Sequence, residues 1–256
     1  MEEFTELCRE LYRKNEKFHV VGGTSNVYIR PNTSFKHMIS IRLLNRFYLD
    51  NDFMVCECGA SVKRIVRRMV IDGIDGYACM IDLPGTIGGG VYGNAGVSRH
   101  SIVRQLKDVT VLLDNGSIRT FSPDDLGFTF RSSALKRGEL QGIILSCRLK
   151  RTPGNKKEIE DEAMMVHEWR KENQPGAARN LGTTSLLSIA KPTLKGKLLR
   201  GIATVGAFVL KPNDKAGFKT RFIMKALGKS ELSQYLFGLN RYMWMDAKAH
   251  ENFEVY

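Results

Sequence analysis

Apolar and polar residues along this chain follow two periods, and the switches between them lay out its elements. In residues 2–15 the apolar positions Phe4, Leu7, Cys8 and Leu11 form the i, i+3, i+4, i+7 stripe of an amphipathic helix. Phe18 to Val21 is a short strand, and Val27 to Ile29 continue it beyond a Gly22-Gly23 turn. Met38 to Ile41 and Arg46 to Cys58 alternate or run apolar as strands do. Ser61 to Met69 returns to the helical period, with Val62, Ile65, Val66 and Met69 on one face and Ser61 as N-cap. Asp108–Leu113 and Ser117–Phe121 flank Asp114-Asn115-Gly116, and Asn-Gly between two β-rich runs predicts a hairpin. Ile143 to Leu149 is a further strand. Composition shifts at Thr152-Pro153-Gly154-Asn155. Lys156 to Lys171 then carries Ile159, Ala163, Val166 and Trp169 or Arg170 at helical spacing, and Gln174-Pro175-Gly176 stops it. The whole predicts an α+β chain, with one lobe to about residue 150 and a smaller, basic, less clearly patterned region over 151–256.

One stretch fits neither period. Residues 84–96 read Pro-Gly-Thr-Ile-Gly-Gly-Gly-Val-Tyr-Gly-Asn-Ala-Gly, six glycines in thirteen positions. Such a run does not fill a core; it lets the backbone turn and lets a ligand or another backbone come close. N–H groups exposed in turns of this kind form a nest that suits phosphate oxygens. A shorter element, Val20-Val21-Gly22-Gly23-Thr24-Ser25-Asn26, ends in hydrogen-bonding side chains. The pair suggests one large diphosphate ligand held from two sides, by a grip that is neither a P-loop nor the strand–turn–helix fingerprint of dinucleotide folds.

Composition narrows the class without changing that picture. With 256 residues, 43% hydrophobic and 26% charged, the chain is ordinary for a globular protein. Its longest apolar run, Leu198 to Leu210, is too short for a membrane span and contains Arg200. The acidic start, Met-Glu-Glu-Phe-Thr-Glu, lacks the pattern of a signal peptide, so a cytoplasmic location is expected. Cys8, Cys56, Cys58, Cys79 and Cys147 are odd in number and lack metal-ligand spacing. They read as buried thiols of a reducing compartment, and no metal is expected. The net charge of +12 is uneven: Lys191 to Lys229 holds ten basic residues and one acid, Asp214. That tract attracts polyanions, and peripheral contact with an anionic membrane surface is one use for it. No nucleic-acid recognition module is present, so nucleic acid is not an expected partner.

The motifs also resemble a family. Gly22-Gly23-Thr24-Ser25-Asn26, then Gly59-Ala60-Ser61, then the 84–96 run follow the order and approximate spacing of the UDP-N-acetylenolpyruvoylglucosamine reductases, also called UDP-N-acetylmuramate dehydrogenases. Phe130-Arg131-Ser132-Ser133 is similar to the family's Tyr-Arg-x-Ser, and Arg170 with Gln174-Pro175 to its Arg-x-x-x-Gln-Pro. The resemblance covers about residues 15–185. It implies a two-subdomain FAD-binding fold of the vanillyl-alcohol oxidase type over 1–150 (about 1–55 and 56–150), followed by a divergent substrate-binding or interaction region over 151–256. It implies an oxidoreductase that passes hydride from NADPH through FAD to an enolpyruvyl UDP-sugar in peptidoglycan precursor synthesis. The implied cofactor-binding residues are Gly22, Gly23, Thr24, Ser25, Asn26, Gly59, Ala60, Ser61, Pro84, Gly85, Thr86, Gly88, Gly89, Gly90, Asn94, Ala95 and Gly96, with Ile144 from the following strand.

For catalysis the resemblance implies an arginine that stabilises the developing enolate, and Arg131 matches it. A guanidinium is always charged and can hold a carboxylate or enolate through two bonds. The family's proton-donating serine falls on Thr183 in the simplest register and on Ser185 in a shifted one. Glu254, in Glu254-Val255, stands where a late glutamate assists protonation. Residues 186–256 lack the family's substrate-domain motifs. Two other functions therefore stay compatible with the sequence: a flavoprotein acting on another nucleotide-sugar or glycan intermediate, and a catalytically inactive binding module in envelope assembly.

Overall fold

A computed structural model describes residues 1–27, 29, 33–97, 100–173, 180–183, 202, 205, 236–239 and 242–246. Helix α1 (Glu2–Arg13) buries Phe4, Cys8 and Leu11. Leu7, the fourth member of the predicted stripe, is 45% exposed, and Thr5 is buried in its place with its hydroxyl donated to the Met1 carbonyl. Strands β1 (Phe18–Val21) and β2 (His37–Ser40) pair in parallel. The Gly22-Gly23 turn leads directly out of β1, and of the strand expected beyond it, Val27 and Ile29 lie outside any strand while residue 28 is outside the described residues.

Residues 46–58, expected as one strand, form a hairpin of β3 (Phe47–Asp50) and β4 (Phe53–Glu57). The turn is made by Asn51-Asp52, with Asn51 at φ 51°, a left-handed conformation that Asn tolerates better than most side chains. Helix α2 (Val62–Ile71) follows as expected; the Ser61 hydroxyl accepts from the Arg64 N–H at 3.4 Å, and Val62, Ile65, Val66 and Met69 are buried.

The glycine run is not a loop. Ile87–Tyr92 is a helix, α3, capped by Thr86, whose hydroxyl accepts from the Gly89 N–H. Three consecutive glycines are poor helix formers; tertiary packing decides here. Beyond it lie the short strands β5 (Gly96–Val97) and β6 (His100–Ser101), then β7 (Leu106–Leu113) and β8 (Ile118–Phe121), joined by the predicted hairpin turn. Helix α4 (Ala134–Arg137) ends on Gly138 at φ 76°, and β9 (Gly142–Lys150) returns between β4 and β7.

The main sheet is antiparallel in the order β3-β4-β9-β7-β8. β7 and β9 are buried at most positions, as strands covered on both faces are. All five cysteines are buried thiols. Burial pushes Cys58 up to about 12 and Cys8 up to about 11, so both stay neutral.

The chain divides into two compact units, Met1–Glu168 and Trp169–Tyr256. The first runs past residue 150, because helix α5 (Lys156–Asn173) buries Ile159 and Ala163 in the same core as the sheet. The subdomain boundary at 55 falls inside β4, which pairs with both β3 and β9. In the second unit, β10 (Asn180–Thr183), β11 (Leu236–Leu239) and β12 (Tyr242–Asp246) form a sheet in the order β10-β12-β11. The basic tract 191–229, apart from Ile202 and Val205, lies outside the described residues, as do Ser185, Glu254 and Gln174-Pro175.

Candidate functional site

The three glycine-containing motifs, far apart in sequence, meet in the first unit. A Cβ added to Gly22 would lie 2.3 Å from the Thr86 hydroxyl oxygen, and one on Gly23 would lie 3.7 Å from the Gly85 Cα. Gly85, at φ 105°, faces Ser25, whose hydroxyl would be 3.0 Å from an added Cβ. The third motif ties the second turn down. Gly88 N–H donates to Cys58 O at 2.7 Å, Ile87 N–H to Ala60 O at 2.8 Å, and Val62 N–H to Gly85 O at 3.1 Å. Gly59 sits so close to the Ile41 carbonyl that an added Cβ would be 1.8 Å from it. Gly59, Ala60 and Ser61 are therefore the bed on which the glycine run rests.

The two turns keep backbone donors to spare. Among the described residues, the N–H groups of Gly22, Gly23, Ser25, Asn26 and Gly85 donate to no protein acceptor. Unpaired N–H groups in neighbouring turns are donors for an anionic oxygen. Ser25 and Asn26 are exposed beside them. Thr24, expected to add a side-chain bond, turns its hydroxyl onto the Gly23 carbonyl at 2.8 Å. Pro84 is exposed and leads into the turn.

The glycines of α3 divide by role. Gly88 is buried, with an added Cβ 3.0 Å from both the Cβ and the carbonyl oxygen of Cys58, and Gly90 packs on Ile102 and Val62. Gly89 is exposed, and an added Cβ there would meet only the Thr86 hydroxyl, at 3.4 Å. Gly88, Gly90 and Gly93 have G-x-G-x-x-G spacing, but no strand leads into α3, so they do not form the dinucleotide fingerprint.

Arg131 is brought to the end of this run. Thr129 and Ser132 exchange reciprocal backbone bonds of 3.0 and 3.2 Å, which makes Phe130 and Arg131 the tip of a tight turn. Arg131 has φ 56°, and its guanidinium donates to the Gly96 carbonyl at 2.7 Å while lying 5.6 Å from the Phe130 ring. Two further bonds hold this turn on the run: Asn94 Nδ2 donates to Thr129 O at 2.7 Å, and Ser133 Oγ to Tyr92 O at 2.7 Å. Ser133 also caps α4. Ala95 donates its N–H to Gly90 O and accepts from Ile102 N–H, which closes the run. Ile144 is 6% exposed in the core cluster. Thr183 ends β10 in the second unit, paired in register with Trp244.

An ion cluster with no counterpart among the sequence motifs lies just before the turn. Asp82, at φ 60°, receives Lys63 at 3.1 Å, Arg67 at 3.0 Å and His167 Nδ1 at 2.5 Å. Burial alone would raise the Asp82 carboxyl; hydrogen bonds from His167, Lys63 and Arg67 outweigh it and hold the group down at about 2. The signal was present: Lys63 and Arg67 are one helical turn apart on α2. The cluster anchors the segment entering Pro84-Gly85. A cleft of about 850 Å³ elsewhere, between α1 and the Asp114-Asn115-Gly116 turn, contains Glu3, Glu6 and Glu10 and none of these motifs.

The FAD binding domain family matches residues 1–122, the part of the chain that carries both turns. Over 207 to 231 of its residues the chain is similar to UDP-N-acetylenolpyruvoylglucosamine reductases, the family its motifs resemble. It is 32% identical over 207 residues to UDP-N-acetylenolpyruvoylglucosamine reductase 1 of Corynebacterium glutamicum, covering 78% of this chain and 61% of that protein. It is 27% identical over 231 residues to the reductase of Prochlorococcus marinus, covering 84% of this chain and 78% of the relative. The crystal structure of the Thermus caldophilus reductase, MurB, superposes with a TM-score of 0.56 at 28% identity, over 66% of this chain and 61% of that one. The chain thus spans about three fifths of the length of two of these three relatives.

Proposed function

We propose that the chain binds FAD and acts as a UDP-N-acetylenolpyruvoylglucosamine reductase, taking hydride from NADPH and delivering it to an enolpyruvyl UDP-sugar in the cytoplasm. The observation that carries this reading is the meeting of Gly22-Gly23 with Gly85-Thr86, with unpaired N–H groups in both turns. The residues fit the cofactor in three ways. The turns offer donors for a pyrophosphate, Gly89 leaves a face that a side chain would fill, and Asn94 Oδ1 is a buried acceptor without a donor. FAD supplies the two-electron relay between the nicotinamide and the sugar.

The chain's own residues do the rest. The 22–26 and 85 turns hold and orient the diphosphate. Arg131 keeps part of its donor fork beyond its single bond to Gly96, and those N–H groups stabilise negative charge developing on the enolpyruvyl carboxylate. The hydroxyl of Thr183, or of Ser185 in the shifted register, gives a proton to the neighbouring carbon, with Glu254 assisting. The test is anaerobic stopped-flow absorbance. NADPH bleaches the flavin, and reoxidation requires the UDP-enolpyruvyl sugar. Bleaching with NADPH but no reoxidation by that sugar would leave a flavoprotein of another specificity. A protein that takes up no flavin would overturn the reading.

A further inference from the structure

The main sheet ends on one side at β3, whose outer edge meets no other strand among the described residues. Which groups that edge offers follows from the hairpin. Glu57 N–H donates to Arg46 O at 2.9 Å, so residues 46 and 57 form a hydrogen-bonded pair. The pattern then alternates, and Tyr48 with Val55 and Asp50 with Phe53 are the next such pairs. Phe47 and Leu49 lie between them, opposite Cys56 and Met54, and turn their N–H and C=O groups away from β4. An edge of this kind is a template for another strand unless lysine, proline or a bulge blunts it. β3 has none of the three: it reads Phe-Tyr-Leu-Asp, in unbroken register. Tyr48 is 59% exposed and Leu49 47%.

Charge along the edge selects the occupant. Arg46 stands just before β3 and Asp50 at its end. A second copy of β3, laid antiparallel about a two-fold axis at Tyr48, puts Phe47 opposite Leu49, Tyr48 opposite Tyr48, and Arg46 opposite Asp50. In that register the residues with outward N–H and C=O groups, Phe47 and Leu49, face each other, as hydrogen-bonded pairs require. The Arg46–Asp50 pairs and the tyrosine pair share one face of the sheet. Arg46 gives Nε and Nη2 to Glu57 and keeps Nη1, while Asp50 uses Oδ1 alone, accepting from Asn51 Nδ2. A hollow of about 360 Å³, lined by Asn45, Arg46, Phe47, Tyr48 and Arg64, lies beside Phe47, the residue that Leu49 of the second copy opposes. β8, the other edge of the sheet, offers no such match: Ile118–Phe121 carries Arg119 and no acid.

We propose that β3 is a docking edge for a second copy of this chain, which pairs antiparallel about Tyr48 and joins two five-stranded sheets into one. The interface is isologous, so each off-axis contact is made twice. It is also short, and the association is weak, with a dissociation constant on the order of 10 μM. Nothing in it depends on the flavin reading, and its test needs no cofactor.

Residue 48 meets itself across this axis, which makes it the probe. Sedimentation velocity of the full chain, from about 1 to about 200 μM, is expected to show monomer passing into dimer. Tyr48→Lys and Tyr48→Asp each set like charges opposite one another and are expected to weaken the dimer about tenfold or more. An equimolar mixture of the two sets Lys against Asp and recovers it. Position 48 is exposed, so the circular dichroism of both variants is expected to match the wild type. Tyr48→Cys is expected to cross-link on mild oxidation, because a directly opposed, non-hydrogen-bonded pair has the Cα separation a disulfide needs. Leu49→Cys, opposite Phe47, is not, and the native cysteines are buried. A wild type that stays monomeric throughout, the result if a segment of the same chain covers β3, would overturn the proposal. So would a dimer that both charge variants leave intact, a mixture that stays monomeric, or cross-linking through Leu49→Cys in place of Tyr48→Cys.

Discussion

Gly88 and Gly89 are neighbours on one short helix, and the geometry gives them opposite fates on substitution by alanine. At Gly88 a methyl would sit 3.0 Å from the Cys58 carbonyl oxygen and 3.4 Å from its Cα, against backbone that is itself bonded to Gly88. Nothing there can rotate away, so overpacking costs about 1–3 kcal/mol. At Gly89 the methyl meets only the Thr86 hydroxyl, at 3.4 Å, an ordinary contact. Alanine there gains helix propensity instead, about 0.5 kcal/mol near a helix end, or roughly 1–2 °C in midpoint for a domain of this size. The same methyl projects from the exposed face, where the cofactor is expected. Gly89→Ala therefore stabilises the apoprotein and weakens FAD, by about tenfold if one close contact is lost. Gly88→Ala destabilises the apoprotein. Urea melts of the two apoproteins and fluorescence titration with FAD read both quantities. Gly89→Ala with undiminished FAD affinity would refute the assignment of that face, and Gly88→Ala with wild-type stability would refute the packing.

Arg131→Lys is expected to retain flavin and to lose turnover with the UDP-sugar on the order of 100-fold, because a point charge replaces a positioned fork; steady-state kinetics of flavin-loaded protein check this. Thr183→Val is expected to leave reduction by NADPH intact and to slow reoxidation by the sugar sharply, while Thr183→Ser is tolerated; if Ser185→Ala alone slows reoxidation, the donor is Ser185. Asp82 is held below its ordinary value of 3.8, at about 2, so it favours the folded state above pH 4 and that contribution disappears as pH falls through about 2. Melting temperatures of wild type and Asp82→Asn are expected to differ at pH 6 and to converge towards pH 2; a constant gap would show that the ion cluster does not act through charge.

Much of the frame was legible because it depends on local pattern. Ser61 with Val62, Ile65, Val66 and Met69 wrote α2 directly, and Asn115-Gly116 wrote the β7–β8 turn. Failures came where a distant contact or a single turn residue decides. Asn51-Asp52 turn the chain between β3 and β4, and the polar triplet Asp50-Asn51-Asp52, with Asn at positive φ, is the signal that an apolar period alone does not carry. The glycine run was readable as a place of close approach, yet much of that approach is by Cys58 backbone, and it makes a helix of residues whose propensity opposes one. Which glycines face a ligand depends on three-dimensional neighbours: Gly88 packs and Gly89 is open. The Arg131 motif was visible, but the bonds that hold it, from Asn94 and Ser133, join segments with no local signature.

In the proposed function the 22–26 and 85 turns hold the pyrophosphate of one FAD. The most direct measurement of this is the visible spectrum of the purified protein, with the flavin released by denaturation and quantified against protein. The expected result is a bound-flavin spectrum, one FAD per chain, and an apoprotein that regains it on adding FAD and binds riboflavin, which lacks the pyrophosphate, far more weakly. A well-folded protein that purifies colourless and cannot be reconstituted, or that binds riboflavin as tightly as FAD, would contradict it.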